Sequence, residues 1–215
     1  MGVGSRAVKP TRAYDGRLRR EQARRTHDRI VAVAERHFLR HGYRATTITA
    51  IAEAAGVSVD TIYKSFGGKP GLIRAIRDRA LLGTGSRPAE QRSDALQERE
   101  QDPRKIIERW GDFVVELAPL GAPILLLVRD AASTHPELKA LRQELDDDRL
   151  RRMTDNARRL AAAGHLRRGI DAASAADVLW TYSSPELYEL LVLRRAMTIK
   201  AFGRFVADAM IAALL

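Results

Sequence analysis

The chain has no cysteine among its 215 residues. That removes disulfide bridges, thiolate nucleophiles and cysteine metal ligands, and it fits a reducing, cytoplasmic setting. Aromatic residues are scarce at 6%, so core building falls mainly to Ala, Leu, Ile and Val. The longest apolar run near the middle, Ile124–Val128, is far short of the roughly 20 residues that span a bilayer. The N-terminus carries basic residues without the apolar stretch of a secretory signal. No segment alternates apolar and polar residues with a strand period, and no internal repeat is visible. G-x-S-x-G, phosphate-loop and G-x-G-x-x-G motifs are absent, so no catalytic residue, nucleotide site or cofactor is expected. His37 and His41 share a helix face, but no third ligand follows at a recognised spacing, and no metal site is expected.

Charge is present in quantity and unevenly placed. The net +10 comes from 37 basic and 27 acidic residues, and residues 1–82, with 17 basic and 7 acidic, hold all of the excess. Residues 83–215 are balanced. Segregation of this kind points to a polyanion partner for the first part, double-stranded DNA above all. Membrane attachment through the basic N-terminus and first helix is the weaker reading, because that helix carries no Trp and no lipidation signal.

Helical periodicity runs through most of the chain. Residues 1–18 mix Gly, Ser, Pro and Arg without apolar period and read as a disordered basic arm. A first amphipathic helix covers 20–41, with Ile30, Val33, Ala34, Phe38 and Leu39 as its stripe and Gly42 at its end. Three shorter helices follow, at about 47–55, 58–64 and from Lys69 through Ala80, and close a domain over 19–82. Residues 83–102 are polar and read as a linker or a loop, with room for a short helix or a lid. The expected helices of a second domain, 103–215, run from Pro103 to about Leu117, about 121–132, 136–163, 172–182, 185–195 and 198–213. Pro119 and Pro123 are read as interrupting the first two of these. The fold class is all-α.

The stretch 45–72 carries the most information. Thr47 is placed to cap a helix whose apolar face is Ile48, Ile51, Ala52 and Ala55. Gly56 can adopt the left-handed conformation of a tight turn. Ile62, six residues on, can pack under the small Ala52. This is the spacing of a helix-turn-helix, whose second helix enters the DNA major groove. Over roughly residues 22–82 the chain resembles the DNA-binding domain of the tetracycline-repressor (TetR) family of bacterial transcription regulators. The family pattern stands here as Thr47, Ile51-Ala52, Ala55-Gly56-Val57-Ser58, then Tyr63, Phe66 and Lys69. Residues 183–191, SSPELYELL, also resemble one branch of that family. Asp60, where the family often has Gly, and the glycine-rich junction Gly67-Gly68 and Pro70-Gly71 depart from the pattern.

The DNA-contacting set read from these residues is Arg44, Thr47, Ser58, Val59, Thr61, Tyr63, Lys64, Ser65 and Lys69. Lys64 can donate to guanine or phosphate, and Val59 can touch a thymine methyl. Asp60 is read as a cap for the start of the recognition helix. The resemblance assigns Tyr63 and Lys69 to the DNA backbone. It also implies a homodimer, a small-molecule effector and a repressor whose recognition helices change separation on ligand binding, acting at a palindromic operator. In the second domain the expected pocket set is Trp110, Phe113, Arg129, Asp130, Met153, Asn156 and Trp180. The last two helices are assigned to the dimer interface through Leu187, Leu190, Leu191, Phe202, Phe205 and Met210. A non-specific, nucleoid-type DNA binder is the rival function. An enzyme or carrier on the second half has no supporting motif.

Overall fold

The computed structural model describes residues 12–215, with side chains from Gly16 onward. Ten α-helices and no strand are found among them. They are α1 (Arg12–Ala45), α2 (Ile48–Ala55), α3 (Val59–Phe66), α4 (Lys69–Leu82), α5 (Ala89–Arg99), α6 (Pro103–Ala131), α7 (Pro136–Ala162), α8 (Ala172–Tyr182), α9 (Pro185–Tyr188) and α10 (Ile199–Leu214). A π-helical turn, Glu189–Arg194, prolongs α9.

Two segments differ from the sequence expectation, and a third, 83–102, takes one of the forms left open for it. The helix expected from residue 20 starts at Arg12, so residues 12–18 of the expected arm are helical. Arg, Leu, Glu and Gln are good helix formers, and the Glu21–Arg25 pair supports the next turn. Residues 1–11 of that arm lie outside the described residues. Within 83–102, Ala89–Arg99 forms α5, which packs on α6. The prolines at 119 and 123 do not divide 103–132, because α6 runs through both. Each lacks an N–H, so the carbonyls of Val115 and Pro119 forgo their helical donors, and tertiary packing offsets that loss.

α6 is the spine of the molecule. By length and composition it could cross a membrane, yet here it packs against α1, α4, α7, α9 and α10. Two apolar cores form, and α6 and α7 thread both. In the first core, Ile30, Phe38, Ile51, Ile62, Leu72, Ile73 and Ile76 of the first four helices meet Ile124 and Val128 of α6 and Leu138 and Leu141 of α7. In the second, Ile106, Ile107 and Trp110 of α6 and Leu160 of α7 meet Leu179, Phe202, Val206 and Leu214. Each such side chain, fully buried, contributes about 1.5–3 kcal/mol. The basic domain therefore shares its core with the far ends of α6 and α7. Arg74–Glu144 at 2.5 Å and Arg77–Asp148 at 2.8 Å tie α4 to α7, and an Arg79–Glu35 ion pair ties it to α1.

α10 reaches α6 backbone to backbone at Gly111 and Gly203. A Cβ on Gly203 would lie 2.8 Å from the Gly111 carbonyl oxygen and would overlap Val115. Gly203→Ala gains helix propensity of about 1 kcal/mol, but overpacking costs about 1–3 kcal/mol. The variant should show a lower urea midpoint at unchanged slope. A midpoint equal to or above that of the parent would mean that α10 can slide freely on α6.

Candidate functional site

The helix-turn-helix is built by local capping. Thr47 Oγ1 accepts from the Ala50 N–H at 3.1 Å. Gly56 is left-handed at φ 62° and ψ 42°, and it closes α2 by donating to Ala52 and Glu53 carbonyls. Val57 N–H also reaches the Ala52 carbonyl, at 3.0 Å. Ser58 caps α3 by accepting from the Thr61 N–H, and the two hydroxyls pair at 2.8 Å. Ile51, Ala52, Ala55 and Ile62 are buried together, as their spacing required.

That packing turns the other face of α3 outward. Val59, Tyr63, Lys64 and Ser65 are exposed, and Ser58, Thr47 and Arg44 stand exposed beside them. Tyr63, at 53% exposure, is the largest apolar surface there. Thr61 is half-buried and spends its hydroxyl on Ser58. Asp60 does not cap α3, since Ser58 holds that place; its carboxylate pairs with Lys64 at 2.7 Å, one turn on. An exposed i,i+4 pair of this kind contributes only a few tenths of a kcal/mol, but it offsets the charge of Lys64.

Lys69 has a different place from the one its motif position suggests. Its ammonium donates to the carbonyls of Tyr43 at 2.7 Å and Thr46 at 3.0 Å, and it lies 4.0 Å from the centre of the Tyr43 ring. It closes the end of α1 rather than standing free in solvent. Burial lowers its pKa, partly countered by Glu137. Buried Thr46, which the motif reading passed over, donates to the Gly42 carbonyl at 2.8 Å and completes that cap.

A second site lies between the two cores. α4, α5, α6, α7, α8, α9 and α10 enclose a cavity of about 250 Å³, mostly apolar. Of the residues expected in a pocket, Trp110, Phe113, Met153 and Asn156 are on its wall. Arg129 and Asp130 are not. They lie beyond the cavity near the C-terminal end of α6, where Arg129 donates to Glu189 at 2.6 Å and to Asp130. These contacts raise the Arg129 pKa, and Arg129 with Arg194 holds Glu189 down at about 2. Trp180 is also off the wall. Leu179 and Tyr182 of α8, and Ser183 just after it, line the cavity, while Trp180, turned about 100° along the helix from Leu179, lies under the Arg149 guanidinium at 4.6 Å.

The wall also includes Ser93 of α5, which sequence reasoning missed. The only signal for it was the helical spacing of Ala89, Ser93 and Leu96 inside an otherwise polar stretch. Ser93 accepts the Trp110 indole N–H at 2.9 Å. Arg92 holds Glu116 through two bonds, at 2.9 and 3.0 Å, and Arg152 reaches Asp94 at 2.8 Å. α5 is therefore pinned over the cavity rather than loose.

The expected dimer set divides. Phe202, Met210 and Leu191 are buried within the chain, and the first two line the cavity. Leu187 is half-buried, whereas Leu190 and Phe205 are 50% and 41% exposed. α10 is apolar on two faces: Phe202, Val206 and Met210 turn inward, while Phe205 turns out. Reading them as one stripe merged the two.

Residues 30–76 match the family model for bacterial regulatory proteins of the tetR family. The chain is 41% identical over 63 residues to the uncharacterized HTH-type transcriptional regulator YvkB of Bacillus subtilis, covering 29% of this chain and 33% of that protein. It is 40% identical over 62 residues to the HTH-type transcriptional regulator TtgR of Pseudomonas putida, covering 29% of this chain and 30% of that one. These alignments thus span about a third of each relative. Over most of the chain the fold is similar to that of SmeT in its triclosan complex, with a TM-score of 0.68 at 25% identity over 87% of this chain and 90% of that one. It is also similar to NalD, the secondary repressor of the MexAB-OprM multidrug efflux pump in Pseudomonas aeruginosa, with a TM-score of 0.71 at 20% identity over 90% and 98%.

The Tyr43 cluster beneath the recognition domain has a pH signature. Tyr43 is buried and donates to Glu137 at 3.2 Å. Burial first, and Glu137 second, push its phenol up from 10.0 to about 12. A raised folded-state value favours the protonated fold, so the contribution is complete below pH 10 and is lost as pH rises through 12. Over that window stability should fall by at most one proton's slope, about 1.4 kcal/mol per pH unit. In denaturant titrations at pH 9 to 12, Tyr43→Phe should fall less steeply than the parent. Parallel curves would show that the phenol titrates as it does in the unfolded chain.

Proposed function

Since the chain belongs, by its DNA-binding domain, to the tetR family of bacterial regulatory proteins, we propose that it is a cytoplasmic transcriptional repressor that binds a palindromic operator as a homodimer and releases it on binding a small molecule. The observation that carries this reading is the coexistence of an outward recognition face on the basic domain and a mostly apolar cavity touching the same domain's α4. The whole charge excess lies in residues 1–82, which favours a polyanion at that end.

On DNA, Tyr63 and Arg44 act on phosphates, and Val59, Lys64 and Ser65 face base edges. Lys69 serves chiefly by fixing the end of α1, so that the first N–H groups of α4 present themselves to a phosphate. The two-fold axis is assigned to the outer faces of α8 and α10, around exposed Phe205, Ala212 and the half-buried Ala209, with Leu190 at the margin. Phe205 meets Tyr182, a cavity residue, at 6.4 Å between ring centres, so ligand and interface are one side chain apart. Arg77 and Asp148, the ion pair between α4 and α7, both lie on the cavity wall. A ligand that re-sets α7 therefore moves α4 and the recognition helix with it. To weaken operator binding a hundredfold, it must prefer the DNA-incompatible state by about 2.7 kcal/mol.

Selection of genomic fragments by the purified protein at physiological salt, with sequencing, should return a shared palindrome. Broad enrichment with steep salt dependence would instead favour the nucleoid-type binder. On the recovered site, Tyr63→Phe should weaken all sequences alike, while Lys64→Ala should relax preference at one base position per half-site. Sedimentation should give a dimer, and Phe205→Glu should give monomers without operator binding. A parent protein sedimenting only as monomer at micromolar concentration would refute the dimer assignment.

A further inference from the structure

The wall of the cavity states what kind of molecule it takes. The chain has twelve aromatic residues, and five of them, Trp110, Phe113, Tyr182, Tyr188 and Phe202, stand on this one surface. Aromatic walls favour flat rings by offset and edge contacts, and Met153 and Met210 add adaptable sulfur contacts beside them. A cavity of about 150 Å³ lined by aliphatic and aromatic side chains holds one benzene ring, so about 250 Å³ suits one ring or two fused rings.

The polar atoms on the wall are oriented by a short network. Gln97 Nε2 points at the Ser93 carbonyl and hydroxyl, both at 3.5 Å, and donates to Asn156 Oδ1 at 3.0 Å. In this orientation Gln97 Oε1 is left without a partner among the described residues, but turning the amide over would set that oxygen against the Ser93 carbonyl, and this repulsion orients Gln97 and, through it, Asn156. The Asn156 oxygen is thereby taken, and its Nδ2 donates to no acceptor among the described residues although the side chain is 95% buried and on the wall. The Tyr188 hydroxyl, also on the wall and in a residue only 7% exposed, has no hydrogen-bond partner among the described residues. Ser93 accepts from Trp110 and keeps its own proton to give. Unpaired donors thus face an apolar space, and each gains most from an acceptor.

The charges nearby are held by partners or solvated, although one buried nitrogen, Arg77 Nε, has no hydrogen-bond partner among the described residues. Arg77 holds Asp148 and Arg152 holds Asp94, both at 2.8 Å. Arg149 is turned onto the Trp180 carbonyl at 2.5 Å and Ser183 at 3.2 Å, with Asp146 at 3.7 Å. Glu90 stands on the rim, exposed, where water screens it. A charged ligand entering such a space gives up hydration without a free counter-charge.

We infer that the cavity binds a small uncharged molecule of one or two fused rings that accepts a hydrogen bond, with Asn156 and Tyr188 as the donors that select it. This rests on the proposed role of the cavity as the effector site and names the chemistry of that site. Calorimetric titration of the full chain with 2-acetonaphthone, 2-ethylnaphthalene and 2-naphthoate separates the terms. The ketone should bind at least tenfold tighter than either the hydrocarbon or the anion. Asn156→Leu should abolish the advantage of the ketone over the hydrocarbon while the hydrocarbon still binds. Tyr188→Phe, which keeps the ring against Phe202, should reduce the same advantage and serves if Asn156→Leu does not fold. Equal binding of ketone and hydrocarbon, tightest binding of the naphthoate, no binding of any of the three, or a ketone preference untouched by Tyr188→Phe in a folded protein would each overturn the inference. Operator affinity measured with and without saturating ketone tests the other reading separately. Ketone binding in the expected order without operator release would sink the effector role and leave the chemistry of the cavity standing.

Discussion

Everything in this molecule hangs on α6 passing through two cores. Its Ile124 and Val128 are part of the apolar interior of the DNA-binding domain, while its Ile106, Ile107 and Trp110 belong to the interior of the second. A helix is stiff over such a length, so the two interiors cannot shift independently. Between them the apolar side chains do not meet, and the gap is the cavity. The proposed coupling between ligand and DNA needs no special device beyond a rigid rod, a second rod in α7, and α4 tied to that rod by two arginines.

The recognition domain shows how capping and contact compete for the same side chains. Thr46 and Thr47 are adjacent but serve different helices, one closing α1 and the other opening α2. Lys69, the residue whose motif position suggests a free cation, gives two of its protons to backbone carbonyls. Its cost in desolvation is met by those carbonyls and by the Tyr43 ring. Such a lysine positions the start of α4, and the proposed phosphate contacts fall to backbone N–H groups and exposed side chains. Asp60 shows the converse. An acid on the proposed DNA-facing helix is paired with a lysine one turn on, which offsets its charge.

Much of the first domain was legible because its determinants are local. The Thr47 cap, the left-handed Gly56 and the burial of Ala52 against Ile62 each depend on residues within a few turns of one another. The second domain was legible in its helices but not in their facing. Phe202 and Phe205 are three residues apart and equally apolar, so periodicity alone cannot say which one meets the cavity. Arg129 and Trp180 have side-chain chemistry suited to a pocket. Each lies on a helix that touches the cavity, but displaced or rotated away from it, and only packing reveals that. Ser93 was hidden for the opposite reason, since a short helix in a polar stretch carries almost no apolar signal until α6 supplies the surface that buries it.

The sequence by itself determined the all-α class, the helix-turn-helix with its caps and turn, and the confinement of positive charge to one end. These follow from steric and hydrogen-bonding rules acting over a few residues, and from composition. Tertiary structure alone decided that α6 continues through two prolines, that Lys69 is spent on α1, and that the scarce aromatics gather around one cavity with unpaired donors on its wall. Those outcomes depend on which distant surfaces compete for the same side chain, and the energies that settle such a competition exist only once the helices have packed.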